Sequence, residues 1–82
     1  MPYRPEVVDE LNILLKFSQH STQEGIKIHH SAESSTIEAA KRLHAKGLVT
    51  QADGGYLTDR GIELAAQAHN LIDALDVAVE TA

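Results

Sequence analysis

GLVTQADGGYLTDRG, residues 47–61, carries the clearest local structural signal in the chain. Two short runs rich in β-forming residues, 48–51 and 56–58, lie on either side of the sequence ADGG. An Asp-Gly step between such runs is a strong hairpin signal, because glycine accepts the positive φ that a tight turn requires. We therefore predict a β-hairpin over residues 48–58.

The hairpin follows a predicted helix. Gly47 suits the left-handed position just after a helix C-terminus. Ser35 and Glu38 match a capping box, in which a serine and a glutamate three residues later satisfy the first backbone N–H groups. Apolar residues recur between these two signals at helical spacing, and they predict a helix over 34–46.

A further helix is predicted near the N-terminus. Pro5 suits a first helical turn, where its missing N–H would be unpaired in any case. An apolar stripe follows at helical spacing, made by Val7, Val8, Leu11, Leu14 and Leu15. The pattern predicts a helix over 5–17. Glu6, Asp9 and Glu10 lie toward its positive end, where we expect them to be exposed.

Residues 22–30 allow two interpretations. Ser21 and Glu24 form another capping box, which favours a short helix. Ile26 and Ile28 alternate as in a strand, however, and Gly25 weakens a helix. We predict the helix, with a strand as the alternative, so the expected order is helix-helix-helix-hairpin-helix.

The composition limits the class of protein. Eighty-two residues suit one domain, 1–82, and the absence of cysteine excludes disulfides and thiolate metal sites. No apolar run approaches the ~20 residues that span a bilayer. We expect a cytoplasmic protein with no membrane partner, held together by helix packing or by association with another copy.

The net charge of −5 belongs to the C-terminal part. Residues 1–47 carry six basic and six acidic side chains, which cancel. Residues 48–82 carry Arg60 against six acidic side chains, which leaves −5. Residues 27–46 carry four basic and two acidic side chains, a balance of +2. A nucleic-acid surface needs a local basic patch, and this distribution permits one modest patch.

The element order and one motif resemble a known class. RLHAKGLVTQADGGYLTDRGIELA, residues 42–65, is similar to the stretch L-x-x-K-G-L-V … G-Y-x-L-T-x-x-G of winged helix-turn-helix regulators of the MarR and related groups. The whole chain also resembles a small family of uncharacterised proteobacterial proteins regarded as DNA-binding, through PYRPEVVDELN, STQEGIK and GGYLTDRG. The resemblance implies a mainly α fold with a small β-hairpin, in which Leu48 and Leu57 anchor the wing and Gly61 lets the last helix pack closely.

This resemblance implies a small DNA-binding transcriptional regulator. Helix 34–46 would enter the major groove of double-stranded DNA, and 48–58 would form the wing. Hydroxyls at the helix N-terminus would contact phosphate or bases, and exposed cations would neutralise phosphate. The candidate DNA-binding residues are Lys27, Ser34, Ser35, Thr36, Lys41, Arg42 and Lys46.

The wing tip departs from that pattern. Asp53 stands where a minor-groove wing usually presents Arg or Lys, and its charge would be repelled by phosphate. The alternative is a winged-helix protein-protein interaction module with an acidic C-terminal helix and no DNA binding.

The last helix is predicted over 59–79, capped by Thr58. One stripe along it includes His69, which we expect to be a core histidine bonded to a backbone carbonyl. A second stripe follows heptad spacing and is either a wide core contact or a homodimer seam. Its members are Leu64, Ala68, Leu71, Leu75 and Ala78.

Catalysis and cofactors have little support in the sequence. No nucleophile stands in a recognisable motif, and no glycine-rich phosphate loop follows a strand. His20, His29, His30 and His44 match no zinc spacing. We expect neither an enzyme nor a metal site.

Overall fold

A computed structural model describes residues 3–17 and 24–77 of the chain. Within these residues the protein is mainly helical, with a small three-stranded antiparallel sheet of order β1-β3-β2. The elements are α1 (Pro5–Leu14), β1 (Ile26–Lys27), α2 (Ser34–Ala45), β2 (Val49–Gln51), β3 (Gly54–Leu57) and α3 (Asp59–Leu75).

The predicted hairpin is confirmed. In the β2–β3 pair, Val49 lies opposite Leu57 and Gln51 opposite Gly54, with a register shift between them. The turn itself consists of Ala52 and Asp53, neither of which has a positive φ. Gly54 and Gly55, which begin β3, have φ of 115° and 72°, so the predicted positive φ is supplied directly after the turn.

The helix predicted over 22–30 is wrong for the part of it that the structure describes. Ile26 pairs with Gly55 and Lys27 with Gly54, so this segment adds a third strand to the hairpin. The Ile28 N–H donates to the Asp53 carbonyl at 2.7 Å, which ties the strand to the hairpin turn. Ser21, part of the predicted capping box, lies outside the described residues. The observed order is helix-strand-helix-hairpin-helix.

Helix α2 begins at the predicted residue and ends one residue earlier than predicted, at Ala45, but it lacks the predicted N-terminal cap. Glu33 occupies the N-cap position, and no side chain caps the helix. The Thr36 and Ile37 N–H groups bond instead to the Glu33 carbonyl, at 3.0 and 3.1 Å, so the capping box of Ser35 with Glu38 is wrong. At the other end the prediction is confirmed, since Gly47 has a φ of 77°.

Helix α3 begins as predicted. The Thr58 hydroxyl accepts from the Gly61 N–H at 3.1 Å and donates to the Gly47 carbonyl at 2.6 Å. Thr58 thereby caps α3 and joins its start to the end of α2. The helix ends at Leu75, so the prediction is wrong for residues 76 and 77, and residues 78 and 79 lie outside the described part.

Helix α1 ends at Leu14, so the prediction is wrong for residues 15–17, and of the expected apolar stripe only Leu14 is fully buried. Val7 and Val8 are 38% exposed, whereas Ile13 and Phe17 are buried. The buried residues of this segment are 10, 13, 14 and 17. Their spacing of three, one and three fits one face of a helix as well as the expected stripe does. The core contains Ile13, Leu14, Phe17, Ala39, Ala40, Leu43, Leu48 and Val49, with Ile26, Ile28, Leu57 and Leu64 packed against it.

Candidate nucleic-acid interface

The polar residues of α2 divide between two sides of the helix. Ser34, Ser35, Glu38 and Lys41 are exposed, and Thr36 is half-buried in the first turn. Arg42 and the following Lys46, at the C-terminal end of the helix, point instead toward Glu10 of α1. The seven candidate DNA-binding residues therefore do not form one surface.

Glu10 is the centre of the side that faces α1. Its carboxylate is buried and accepts from Arg42 Nε at 2.9 Å and from Lys46 Nζ. Arg42 Nη2 also donates to the Glu6 carbonyl at 3.1 Å. We call Glu10, Arg42 and Lys46 the Glu10 cluster. It joins the middle of α1 to the C-terminal end of α2.

The cluster sets the protonation state of its carboxylate. Burial raises the pKa of Glu10, but the hydrogen bonds and charges of Lys46 and Arg42 act in the opposite direction and outweigh it. The result is a pKa below its ordinary value. Glu10 therefore stays ionised at neutral pH, where its charge offsets part of the charge on the two cations.

Two sequence expectations are corrected by this cluster. Glu10 is not on an exposed turn, and Arg42 does not stand on the exposed face of α2. Arg42 and Lys46 each form an ion pair with Glu10, which precedes them in the chain by 32 and 36 residues. Arg42 and Lys46 therefore have less charge to offer to phosphate.

Lys27 lies on the other side of α2, at two adjoining grooves. One, of about 280 Å³, lies between β1, α2 and the β2–β3 turn, and we call it the hairpin pocket. It is lined by Lys27, Ile28, His30, Ile37, Ala40, Lys41, Ala52 and Asp53. The other, of about 410 Å³, lies near the start of α2, and we call it the N-terminal groove. It is lined by Lys16, Ile26, Lys27, Ile28, His29, Ser31, Ala32 and Thr36.

The lysines of these grooves differ in their ion pairs. Lys41 Nζ lies 3.4 Å from Glu38 Oε1, and both side chains are exposed. Among the described residues, Lys16 and Lys27 make no ion pair. Lys16 was not among the candidates, because it precedes α2 by a long stretch of chain and only the fold brings it to the same groove as Thr36.

The Asp53 side chain is less exposed than expected for the tip of a wing. It lies in the β2–β3 turn, but it is half-buried and lines the hairpin pocket. Since its carbonyl accepts from Ile28, the turn is tied to β1. The acidic residue therefore belongs to the same pocket lining as Lys27 and Lys41.

The exposed part of α3 begins after His69. The hydrogen bond predicted for His69 is confirmed, because its Nε2 lies 2.9 Å from the Phe17 carbonyl, but the residue is half-buried and not part of the core. Of the candidate seam, Leu64 and Ala68 are half-buried, whereas Leu71 and Leu75 are 60% and 72% exposed. Residues 70–77 are all exposed, Ile72 and Val77 included, and Ala78 lies outside the described part.

The described residues provide neither a metal-ligand group nor a membrane-spanning helix. No group of three or more His, Asp or Glu side chains in 3–17 and 24–77 is placed to hold a metal ion, and His20 lies outside those ranges. None of the helices that the structure describes has the length and apolar character needed to cross a membrane.

The architecture defines a mainly helical protein with a small antiparallel sheet, in which α2 is flanked by an ionic cluster and two grooves. The chain belongs to a family of unknown function, DUF5669, whose model matches residues 1–76. No curated protein and no solved structure matches the chain.

Proposed function

We propose that the protein is a winged-helix DNA-binding protein that approaches duplex DNA with the N-terminal half of α2. The hairpin of β2 and β3 is the wing of this proposal. One observation carries it: Lys16 and Lys27, without ion pairs among the described residues, line the groove at the first turn of α2. Five of the seven candidate residues, Lys27, Ser34, Ser35, Thr36 and Lys41, belong to this half of the helix or to the grooves beside it.

The chemistry of this end of α2 suits a phosphate. The first N–H groups of a helix lack intrahelical partners, and the helix dipole places partial positive charge there. No side chain caps these groups in α2. A phosphate oxygen can accept from them while Lys16 and Lys27 supply full charges. The exposed hydroxyls of Ser34 and Ser35 are then available to base edges or sugar.

The Glu10 cluster limits the expected affinity. With Arg42 and Lys46 committed to Glu10, three lysines remain for phosphate: Lys16, Lys27 and Lys41. Each neutralised phosphate adds about −0.9 to the slope of log K against log salt, so three give roughly −2.7. Binding is then weak and falls roughly 500-fold over a tenfold rise in salt.

Fluorescence anisotropy with a random-sequence duplex tests this proposal. We expect binding at about 20 mM salt, where phosphate contacts are least screened. Replacing Lys16 and Lys27 with Ala should reduce the slope to roughly −1. Arg60→Ala is the matched control, because Arg60 is an exposed cation on α3 paired with Glu63. Absence of binding at low salt, or an equal loss in the control, rejects the proposal.

A second candidate function is a protein-interaction module, and the apolar end of α3 favours it. Leu71, Leu75 and Val77 are each at least 60% exposed on a helix end that nothing among the described residues covers. Exposed apolar stripes on helices mark contacts with other chains. We propose a second copy of the chain as the partner, because the exposed leucines continue the heptad spacing of Leu64 and Ala68.

Sedimentation tests the second copy independently of DNA binding. The wild-type chain should sediment as a dimer, and Leu71→Asp with Leu75→Asp should give a monomer with an unchanged helical spectrum. Ala66→Asp is the control, because Ala66 is exposed on α3 outside the seam. A wild type that remains a monomer at high concentration rejects the second copy, whatever its DNA binding.

A further inference from the structure

Helix α2 presents a stripe of exposed side chains directly opposite its buried face. The buried face is made by Ala39, Ala40 and Leu43. On the other side four exposed residues recur at spacings of four, three and four, which we call the outer stripe: Ser34, Glu38, Lys41 and Ala45. Because the outer stripe lies farthest from the core, it is the part of α2 that enters most deeply when the helix lies in a groove of DNA.

Glu38 is the charged residue of the outer stripe that the proposed function leaves without a role. Within Ser34–Ala45 it is the only acidic residue, and its side chain is 60% exposed. It does not cap α2, since no side chain does. Among the described residues its ion pair is with Lys41 at 3.4 Å, and surface pairs of this kind contribute little to stability. The carboxylate is therefore available to another donor.

A carboxylate on the outer stripe meets few donors in the major groove. It only accepts hydrogen bonds, whereas phosphates repel it and most polar atoms of the base edges are acceptors. The two donors in the groove are the amino groups N4 of cytosine and N6 of adenine. Adenine N6 lies between two acceptors, its own N7 and thymine O4, and both repel a carboxylate. Cytosine N4 has one acceptor beside it, guanine O6, so cytosine is the better partner.

We propose that Glu38 selects cytosine at one position of duplex DNA by accepting a hydrogen bond from its N4 amino group. The inference rests on the proposed function, because it needs α2 to lie in the major groove. Hydrogen bonds to a charged acceptor are roughly twice as strong as neutral ones. Where the DNA offers no donor, the carboxylate loses its water without gaining a partner. Glu38 therefore acts against other sequences as well as in favour of cytosine.

Glu38 and the lysines then have different effects on binding. Lys16, Lys27 and Lys41 neutralise phosphates, which are the same at every base pair, so they increase the affinity for all sequences. Glu38 lowers the affinity for most sequences and leaves it highest where cytosine lies opposite the carboxylate. The weak binding to random DNA that three lysines provide is then accompanied by a preference at one base pair.

The test is a selection by the full chain, at about 20 mM salt, from duplexes with a randomised core. We expect the wild type to enrich duplexes that carry cytosine at one fixed position. Replacing this cytosine with thymine in a selected duplex should weaken binding about tenfold in an anisotropy titration, the effect of one lost base contact. N4-methylcytosine at the same position should weaken binding by a similar factor, because the methyl group replaces the N–H that faces the groove.

Two variants separate base selection from charge. Glu38→Gln should transfer the preference from cytosine to adenine, because the amide of glutamine pairs with N6 and N7 of adenine. Glu63→Gln is the matched control: Glu63 is 65% exposed and pairs with Arg60 three positions away, as Glu38 pairs with Lys41. It removes the same charge from α3 and should keep the preference for cytosine. Both positions are exposed, so the fold is expected to survive these substitutions.

The outcomes distinguish the inference from the proposed function. Binding to random duplexes without enrichment of cytosine, or a wild-type preference for adenine, overturns the inference and leaves the proposed function in place. A cytosine preference that Glu38→Gln keeps, or that Glu63→Gln also removes, overturns it too, because the selection then does not come from the Glu38 carboxylate. Absence of any binding at low salt rejects the proposed function and the inference together.

Discussion

Arg42 Nε donates a 2.9 Å hydrogen bond to Oε2 of Glu10, a side chain that is buried between α1 and α2. The two residues are 32 positions apart, and Lys46 binds the other carboxylate oxygen. Truncating one partner of a buried ion pair costs more than the pair contributes, since the remaining charge is left without compensation. The Glu10 cluster is therefore a structural contact first, and it removes two cations from the candidate DNA surface.

Glu10→Gln should lower the free energy of unfolding by about 1–3 kcal/mol at neutral pH. The amide keeps the shape of the side chain, but it leaves Arg42 and Lys46 without a counter-charge. Urea unfolding followed by circular dichroism measures the change. Glu6→Gln is the matched control, because Arg42 contacts only its backbone carbonyl. Equal stability of the Glu10→Gln variant and the wild type would contradict the structural role of the cluster.

The same substitution should change DNA binding in the opposite direction. Releasing Arg42 and Lys46 from Glu10 offers up to two more cations to phosphate. The slope of log K against log salt should then become steeper by roughly 1–2. Anisotropy titrations of the Glu10→Gln variant and the wild type at matched salt concentrations give this difference. An unchanged slope would mean that the two cations lie beyond the reach of DNA even when they are unpaired.

Acid should weaken the fold through Glu10. The folded-state pKa of Glu10 lies below its ordinary value of 4.5, so the folded state favours the ionised form. The contribution of the cluster is fully present above about pH 4.5 and is lost as the pH falls through the lowered pKa. Unfolding measured from neutral to acidic pH should show this loss in the wild type. The Glu10→Gln variant should lose less stability over the same interval, and parallel curves would argue against this role of the carboxylate.

The local signals in the sequence predict much of the fold. The hairpin turn, the end of α2 at Gly47 and the cap at Thr58 each depend on residues within a few positions of one another. Turn and cap geometry is a property of short segments, so the residue types are sufficient to predict it. His69 was also predictable, because a histidine on an apolar stripe needs a hydrogen-bond partner.

The parts that the sequence did not predict depend on distant contacts. β1 has only two residues, and it is a strand because Gly54 and Gly55 lie opposite it. The N-terminal groove forms because the fold brings Lys16 beside β1 and α2. A signal for the Glu10 cluster existed: the carboxylate is in helical register with Ile13, Leu14 and Phe17. Arg42 and Lys46, four residues apart, provide the matching charges.

Gly61→Ala should be among the most damaging single-methyl changes in the chain. A Cβ at this position would overlap the Leu48 carbonyl oxygen, which accepts from the Thr58 N–H at 3.1 Å. Backbone atoms cannot move aside as a flexible side chain can, so we expect a loss of about 3 kcal/mol. In Gly47→Ala the added Cβ would have no atom within 4 Å. The only expected cost comes from the positive φ at this position, roughly 1–2 kcal/mol. Thermal unfolding of both variants should show this order, and the reverse order would contradict the close approach of α3 to Leu48, the residue before β2.

His69→Ala should remove the hydrogen bond that joins the middle of α3 to Phe17, three residues after the end of α1. The Phe17 carbonyl lies 2.9 Å from His69 Nε2, so this nitrogen carries the proton and donates. Loss of the donor should cost about 1–2 kcal/mol, because the carbonyl of a buried residue is left without that partner. His69→Gln offers another N–H donor and should restore part of the loss, whereas a role in packing alone would predict similar losses for both variants. The ¹⁵N shifts of the His69 ring provide a second measurement, since they distinguish a protonated Nε2 from the other neutral tautomer. A ring with its proton on Nδ1 alone would contradict the bond to Phe17.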